Sequence, residues 1–173
     1  MLEHDRMSEF PGKHLAAALF LFVIDGFVIG QGALALAAGA ATVFILVPLW
    51  LSAWHSGERA DAKRRAQIAV IYAVAVAGVI TVNRLNNQLA ERRAQTLIAA
   101  CRRYRQTSGE FPARLSDLVP GALPVVPRAK LAVAYAEFSY TVVTGRHQLS
   151  WTVFPPFARR VYTFEDDRWQ RLD

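Results

Sequence analysis

The chain is poor in the residues that most often carry chemistry. Its 173 residues include one Cys, two Met and four His. The single Cys101 cannot form an internal disulfide, and the dispersed histidines do not show the spacing of a metal site. His147 and Ser150 lie three residues apart on a predicted strand, so they point to opposite faces and cannot act as base and nucleophile together. We therefore predict no catalytic residue, no metal and no cofactor.

Charge is almost absent from residues 15–54, where Asp25 is the only ionisable side chain. Forty such residues are too long for one membrane span and fit two. Glycines at 26, 30 and 32 mark the turn, so we predict spans at about 14–29 and 33–54.

Residues 68–82 form a third segment without charge, preceded by a Lys-Arg-Arg run and followed by Arg84. At 1.5 Å per residue it extends about 22 Å, less than the roughly 30 Å hydrocarbon core, so the flanking Arg and Lys side chains must reach outward to complete a span.

The third segment continues without Pro or Gly up to Gly109. Over this stretch apolar residues recur with helical periodicity and form one stripe, while charged residues occupy the other faces. The stripe consists of Ala90, Ala94, Leu97, Cys101 and Tyr104. We therefore predict a single helix over 67–107 that lies partly in lipid and partly in water.

The charge of +6 lies in the C-terminal half. Residues 84–173 contain fourteen Lys/Arg and eight Asp/Glu, which gives +6, and the remaining residues sum to zero. The arginines are scattered over predicted helix and strand, and no nucleic-acid motif accompanies them. A solvated basic surface is the simpler interpretation, so no nucleic-acid partner is predicted.

The short loops predict the orientation. Residues 55–66 carry Arg59 and a basic run at 63–65, whereas the connection between the first two spans has no Lys or Arg. The basic loop and the N-terminus should therefore be cytoplasmic, and the C-terminal domain periplasmic if the chain is bacterial. A cleaved signal peptide is the alternative for the N-terminus, but Asp25 interrupts its apolar core and the apolar run then resumes.

Two-residue periodicity dominates the C-terminal part. Strands at 138–144 and 147–154 flank Gly145-Arg146, a Gly-first pair suited to a two-residue hairpin turn. That turn would pair Val142 with Leu149, Tyr140 with Trp151 and Phe138 with Val153. A second hairpin is predicted with its turn at Asp166-Asp167, pairing Phe164 with Trp169.

Few residues qualify as site candidates. Asp25 is an intramembrane acidic candidate, because a carboxylate in hydrocarbon is costly unless it is paired or protonated. The alternative is that Asp25-Gly26 lies near the hairpin turn and meets interface water. Tyr140, Trp151, Phe164 and Trp169 are either the packing face of the sheet or an interaction surface. The acidic run 165–167 is either a hairpin turn or part of a calcium site.

One segment resembles a known family. After the helix ending in Tyr104, residues 109–124 contain Gly109, Phe111-Pro112, Leu115, Leu118-Val119-Pro120 and Leu123-Pro124. This run is similar to the segment that follows the N-terminal helix of type II secretion pseudopilins and related type IV pilin-like proteins. The resemblance covers about 68–173 in architecture, and implies a hydrophobic helix that continues into a head and packs on an antiparallel sheet.

The chain departs from that family at its start. Neither Gly57 nor Gly12 is followed by the prepilin cleavage pattern, residues 68–82 contain no Glu, and two further spans precede the pilin-like helix. The resemblance therefore implies a permanently anchored relative, and processing by a prepilin peptidase is not expected.

The predicted fold is a membrane protein with three transmembrane helices, the third continuing into an α+β pilin-like domain. Its parts are a tail (1–14), a transmembrane hairpin (15–54), a basic loop (55–66), the long helix (67–107) and the rest of the domain (108–173). The expected role is non-enzymatic: an accessory component of a secretion or pilus system that contacts membrane lipid and other envelope proteins. A ligand-binding or sensing domain is the alternative, and an enzyme using Asp25 is the third hypothesis.

Overall fold

A computed structural model describes residues 11–172, so most of the predicted tail lies outside the described residues. The chain divides into two compact units. The hairpin unit contains residues 11–27 and 32–82, and the C-terminal unit contains residues 28–31 and 83–172.

The first two predicted spans are helical. Helix α1 (Gly12–Val23) continues as a π-helical segment (Ile24–Ile29). Helix α2 (Ala33–Ala41) continues through a second π-helical segment (Thr42–Leu46) into α3 (Val47–His55).

Close packing joins α1 to the third span within the hairpin unit. A Cβ added to Gly78 would lie 2.9 Å from the ring of Phe22, so a larger residue at this helix contact would require the ring to move. Small residues commonly allow such approach between membrane helices.

Helix α4 (Arg59–Ser108) contains 50 residues. It begins at Arg59 rather than near Gln67, so most of the predicted basic loop is helical; Asp61 and Arg65 form an i,i+4 ion pair within this extension. The helix ends where predicted, since Gly109 adopts a φ of +85° and its N–H donates to Arg105 O.

Three helical stretches are long and apolar enough to cross a membrane, judged by length and composition: Gly12–Ile29, Ala33–His55 and part of Arg59–Ser108. Large apolar side chains on them are exposed, for example Phe44 at 76% and Val74 at 67%. Such surfaces are unfavourable in water and suit lipid.

A four-stranded antiparallel sheet follows the long helix. Its strands β1 (Ser139–Val143), β2 (Arg146–Val153), β3 (Ala158–Thr163) and β4 (Arg168–Leu172) pair in chain order. Before the sheet, residues Leu115–Leu118 form a 3-10 turn.

The register of the first hairpin was predicted wrongly by two residues. Val143 pairs with Arg146, so the turn is Thr144-Gly145 rather than Gly145-Arg146. Both turn residues have positive φ, at 49° and 77°, as a type I′ turn requires. Tyr140 consequently faces Leu149, and a shift of two leaves every side chain on its predicted face.

The second hairpin was also predicted two residues out of register. Thr163 pairs with Arg168, so the loop has four residues, 164–167, and Trp169 lies opposite Tyr162. The cause is that the chain stays with β2 after β3 ends: the Phe164 N–H donates to His147 O at 3.0 Å.

The core of the C-terminal unit lies between α4 and the sheet. The predicted stripe on α4 is confirmed, since Ala90, Ala94, Leu97 and Cys101 are fully buried and Tyr104 packs beside them. They share one hydrophobic cluster with residues of the sheet, among them Leu149, Trp151, Val153, Tyr162 and Phe164.

Candidate functional site

Asp25 is fully buried in the hairpin unit, and its carboxylate binds the start of α2. The carboxylate accepts hydrogen bonds from the backbone N–H groups of Gly32 at 3.0 Å and Ala35 at 2.7 Å. The first N–H groups of a helix have no partner within the helix, and a carboxylate there is also favoured by the helix dipole. The geometry thus gives Asp25 a structural task as the cap of α2.

The four aromatic candidates pack in or against the hydrophobic core of the domain. Trp151 and Phe164 are 3% and 5% exposed, and Tyr140 and Trp169 pack partly buried against the same core. Trp151 and Trp169 meet edge to face at 5.5 Å, as do Tyr140 and Phe164 at 5.8 Å. The Tyr140 hydroxyl donates to Pro112 O at 2.9 Å. These rings therefore leave little surface for a partner.

The acidic run 165–167 is divided among separate partners. Glu165 lies 2.7 Å from His147 Nδ1, Asp166 lies 2.7 Å from an Arg146 nitrogen, and Asp167 lies 2.6 Å from an Arg102 nitrogen. Among residues 11–172, no group of three or more His, Cys, Asp or Glu side chains is arranged to hold a metal ion. Glu165 and Asp166 thus join the loop to β2, and Asp167 joins it to α4, so three separate pairings account for the acidic run.

The partners also affect the acidity of these groups. Burial favours the neutral form of Glu165, but hydrogen bonds from His147 outweigh it and lower the pKa of the carboxyl. The Tyr162 hydroxyl donates to Asp167 at 2.5 Å and lowers the pKa of that carboxyl, with the Arg102 charge adding to the effect.

A set of contacts missed by the sequence analysis lies at the turn 28–31 within the C-terminal unit. The Ala134 N–H donates to Val28 O at 2.8 Å, and Lys130 Nζ donates to Gly30 O at 3.2 Å. The Phe157 N–H donates to the Gln31 side-chain oxygen at 3.2 Å. We call these three hydrogen bonds the turn clasp.

Two residues of the turn clasp, Gly30 and Lys130, are tightly packed. Gly30 has a φ of +67°, and a Cβ there would lie 2.7 Å from Ala132 Cβ, so no larger residue fits. Lys130 is 1% exposed, and burial lowers its pKa to about 8. A visible sequence signal was the apolar run at 131–136 directly after this lysine, which is unusual beside a solvated cation.

An open cleft of about 410 Å³ lies at the C-terminal end of α4. It is lined by Arg102, Arg105, Gln106, Gly109, Phe111 and Phe164. The Arg105 guanidinium stacks 4.6 Å from the centre of the Phe111 ring. Arg102 is already paired with Asp167, so Arg105 is the cation of this cleft that suits an anionic group.

No protein-family model, curated protein or solved structure matches this chain. The functional argument therefore rests on the geometry of the chain itself.

Proposed function

We propose that this chain is an inner-membrane protein with three spans whose C-terminal domain is a periplasmic, pilin-like interaction module. In this proposal it is a non-enzymatic accessory component of a type II secretion or type IV pilus-like system. The element order supports the idea: an apolar helix, a packed continuation of the same helix, an irregular connection and an antiparallel sheet.

The observation that carries the proposal is the continuity of α4. The uncharged residues 68–82 and the buried stripe at Ala90, Leu97 and Cys101 belong to one helix without an interruption. A membrane span that is also the central packing element of a sheet domain is the arrangement that the pilin-like resemblance implies.

The proposed orientation is supported by charge and by the turn clasp. Arg59, Lys63 and two further arginines precede the third span and favour a cytoplasmic position for that loop. The turn 28–31 is hydrogen-bonded within the C-terminal unit, so the turn and that unit share one side of the membrane in this proposal.

The outer face of the sheet is the surface we assign to protein partners. Strands β1–β4 contain no Asp or Glu, and Arg159 and Arg168 are exposed on the face that alternates with buried Leu149 and Trp151. Ser150, Val161 and Thr163 on the same face are buried, so only the part around the two arginines is offered to a partner in this proposal. This face suits a partner with an acidic surface.

The proposal is tested by purifying the full chain from gently solubilised membranes of its host and identifying the co-purifying proteins. Membrane components of a secretion or pilus system should be retained. The double variant Arg159→Glu/Arg168→Glu should lose them, and Arg103→Glu, an exposed arginine on α4, should keep them. Capture that is absent, or that is the same for both variants, would contradict the proposed interaction.

A second candidate function is favoured by the basic cleft at the end of α4. If the domain binds an anionic ligand, Arg105 and Gln106 line the place where it would bind. Arg105→Ala would then abolish binding of the ligand while leaving the capture of membrane proteins unchanged, which separates this function from the first.

A further inference from the structure

The loop at residues 131–136 has an inverted burial pattern. Its large side chains are outside, with Leu131, Val133 and Tyr135 exposed at 67%, 72% and 57%. Its small ones are inside, with Ala132 and Ala136 at 1% and 2%. A loop surrounded by water is more stable with its large apolar side chains buried and its small ones exposed, because this removes more apolar area from water.

This loop is tied to the places where chain segments leave the predicted membrane spans. The Ala134 N–H binds Val28 O in the last turn of the first apolar helix, and the Leu131 N–H binds the Asn86 side chain at 3.1 Å. Asn86 follows the third uncharged segment by one helical turn. The loop therefore lies at the level where two of the spans end.

A fourth exposed apolar side chain belongs to the same region. Phe157, in the connection between β2 and β3, is 77% exposed, the highest value among the large apolar residues of the described chain. Its N–H donates to Gln31 in the turn between the first two spans. This aromatic ring is thus also fixed next to a span end.

We propose that Leu131, Val133, Tyr135 and Phe157 form a lipid-contacting patch that inserts into the boundary between headgroups and acyl chains beside the turn 28–31. The inference rests on the membrane spans of the proposed function. Lipid is the occupant because the hydrogen bonds hold the patch at the span ends, where an apolar surface meets the bilayer. Tyrosine and phenylalanine rings are favourable at that depth.

The patch also explains why Lys130 is buried. The loop turns its apolar side chains outward, and the lysine between Ala129 and Leu131 is turned inward to the Gly30 carbonyl. An ammonium directed outward from this loop would instead lie within the patch.

Quenching of a fluorescent label tests the patch in the full chain reconstituted in phosphatidylethanolamine/phosphatidylglycerol vesicles. Single cysteines replace Val133 or Phe157 and are labelled with bimane. Phe44→Cys, on the second span, is the lipid-exposed reference, and Val142→Cys, on β1, is the water-exposed reference. The native Cys101 is fully buried, so the wild-type chain measures background labelling.

Nitroxide-bearing lipids should quench labels at 133, 157 and 44 several-fold more than the label at 142, and aqueous iodide should give the reverse order. A label at 133 that iodide quenches while lipid quenches position 44 would overturn the patch and leave the spans intact. Protection of 133 and 157 from both quenchers would mean that a protein or a second copy covers the loop, which also overturns it. Absence of lipid quenching at 44 would reject the spans and the patch together.

Discussion

At the scale of single residues, Asp25 and Lys130 are the buried charged side chains of residues 11–172, and they bind backbone groups at opposite helix ends. Asp25 accepts the N–H groups at the start of α2, where the helix dipole favours a negative charge. Lys130 donates to the carbonyl of Gly30, just beyond the π-helical end of the first apolar helix, where a positive charge is favoured. Each charge thus offsets part of its desolvation cost by satisfying a group that the helix cannot satisfy itself.

These two residues differ in how far the sequence reveals them. Asp25 stands out because no other ionisable side chain lies within 15–54. The sequence does not reveal its role as a cap, because its hydrogen-bond partners lie seven and ten residues away and come close only after the turn has formed. Lys130 lies in a chain with many arginines, and its burial depends on how the loop packs, which local periodicity does not encode.

The depressed pKa of Lys130 predicts a pH effect on stability. The ammonium has a pKa of about 8 in the folded state, below its ordinary 10.5, so the unfolded chain binds the proton more tightly. Below pH 8 the lysine is charged in both states, and its burial lowers the free energy of unfolding by the full amount. This penalty disappears as pH rises from about 8 to 10.5, so the free energy of unfolding increases over that window. The shift corresponds to about 3 kcal/mol over the full window.

Lys130→Met isolates that contribution. We propose denaturant titration of the full chain in detergent micelles at several pH values. The rise in the free energy of unfolding between about pH 8 and 10.5 that Lys130 causes should be present in the wild type and absent from the variant. Cys101 and Tyr140 have raised pKa values and lower the stability of both proteins as pH rises, so the difference between the two proteins is the quantity to compare. A difference that does not change from pH 7 to 10 would show that the lysine is not buried as described.

At the scale of elements, periodicity predicted faces well and registers poorly. The stripe on α4 depends on helical spacing alone, and every member from Ala90 to Cys101 is fully buried. Strand pairing depends on which residues tolerate positive φ, and Thr144 and Asp167 do so here at 49° and 50° although neither is glycine. Because both register errors equal two residues, the core face of the sheet was nevertheless predicted correctly.

The packing of α4 on the sheet predicts unequal effects of two equal truncations. Leu97→Ala removes a fully buried side chain from the core and should lower the free energy of unfolding by about 2 to 5 kcal/mol. Leu85→Ala, on the same helix but 59% exposed, should change it by no more than about 0.5 kcal/mol. The measurement is chemical denaturation of the full chain in micelles, and similar losses at the two positions would reject the assigned helix face.

At the scale of the whole molecule, composition indicated the division into an apolar hairpin and a polar C-terminal domain. The structure shows one feature that composition cannot: residues 28–31, which lie in sequence between two apolar helices, belong to the C-terminal unit. The turn clasp is the cause, and its donors are more than ninety residues away in sequence. Contacts between residues so far apart in sequence depend on the complete fold, so local sequence patterns could not predict them.

The proposed three spans predict that the loop before α4 and the domain after it lie on opposite sides of the membrane. Single cysteines at Ser56 and Glu110, both exposed, report the two positions, and the buried Cys101 should not react in the wild type. In intact bacterial cells whose outer membrane has been permeabilised, an impermeant maleimide should label Glu110→Cys and spare Ser56→Cys until the inner membrane is lysed. The reverse pattern would invert the orientation, because the basic residues 59–65 would then lie outside. Labelling of both positions in intact cells would mean that residues 68–82 do not cross the membrane, and the proposed anchoring of the domain through α4 would have to be abandoned.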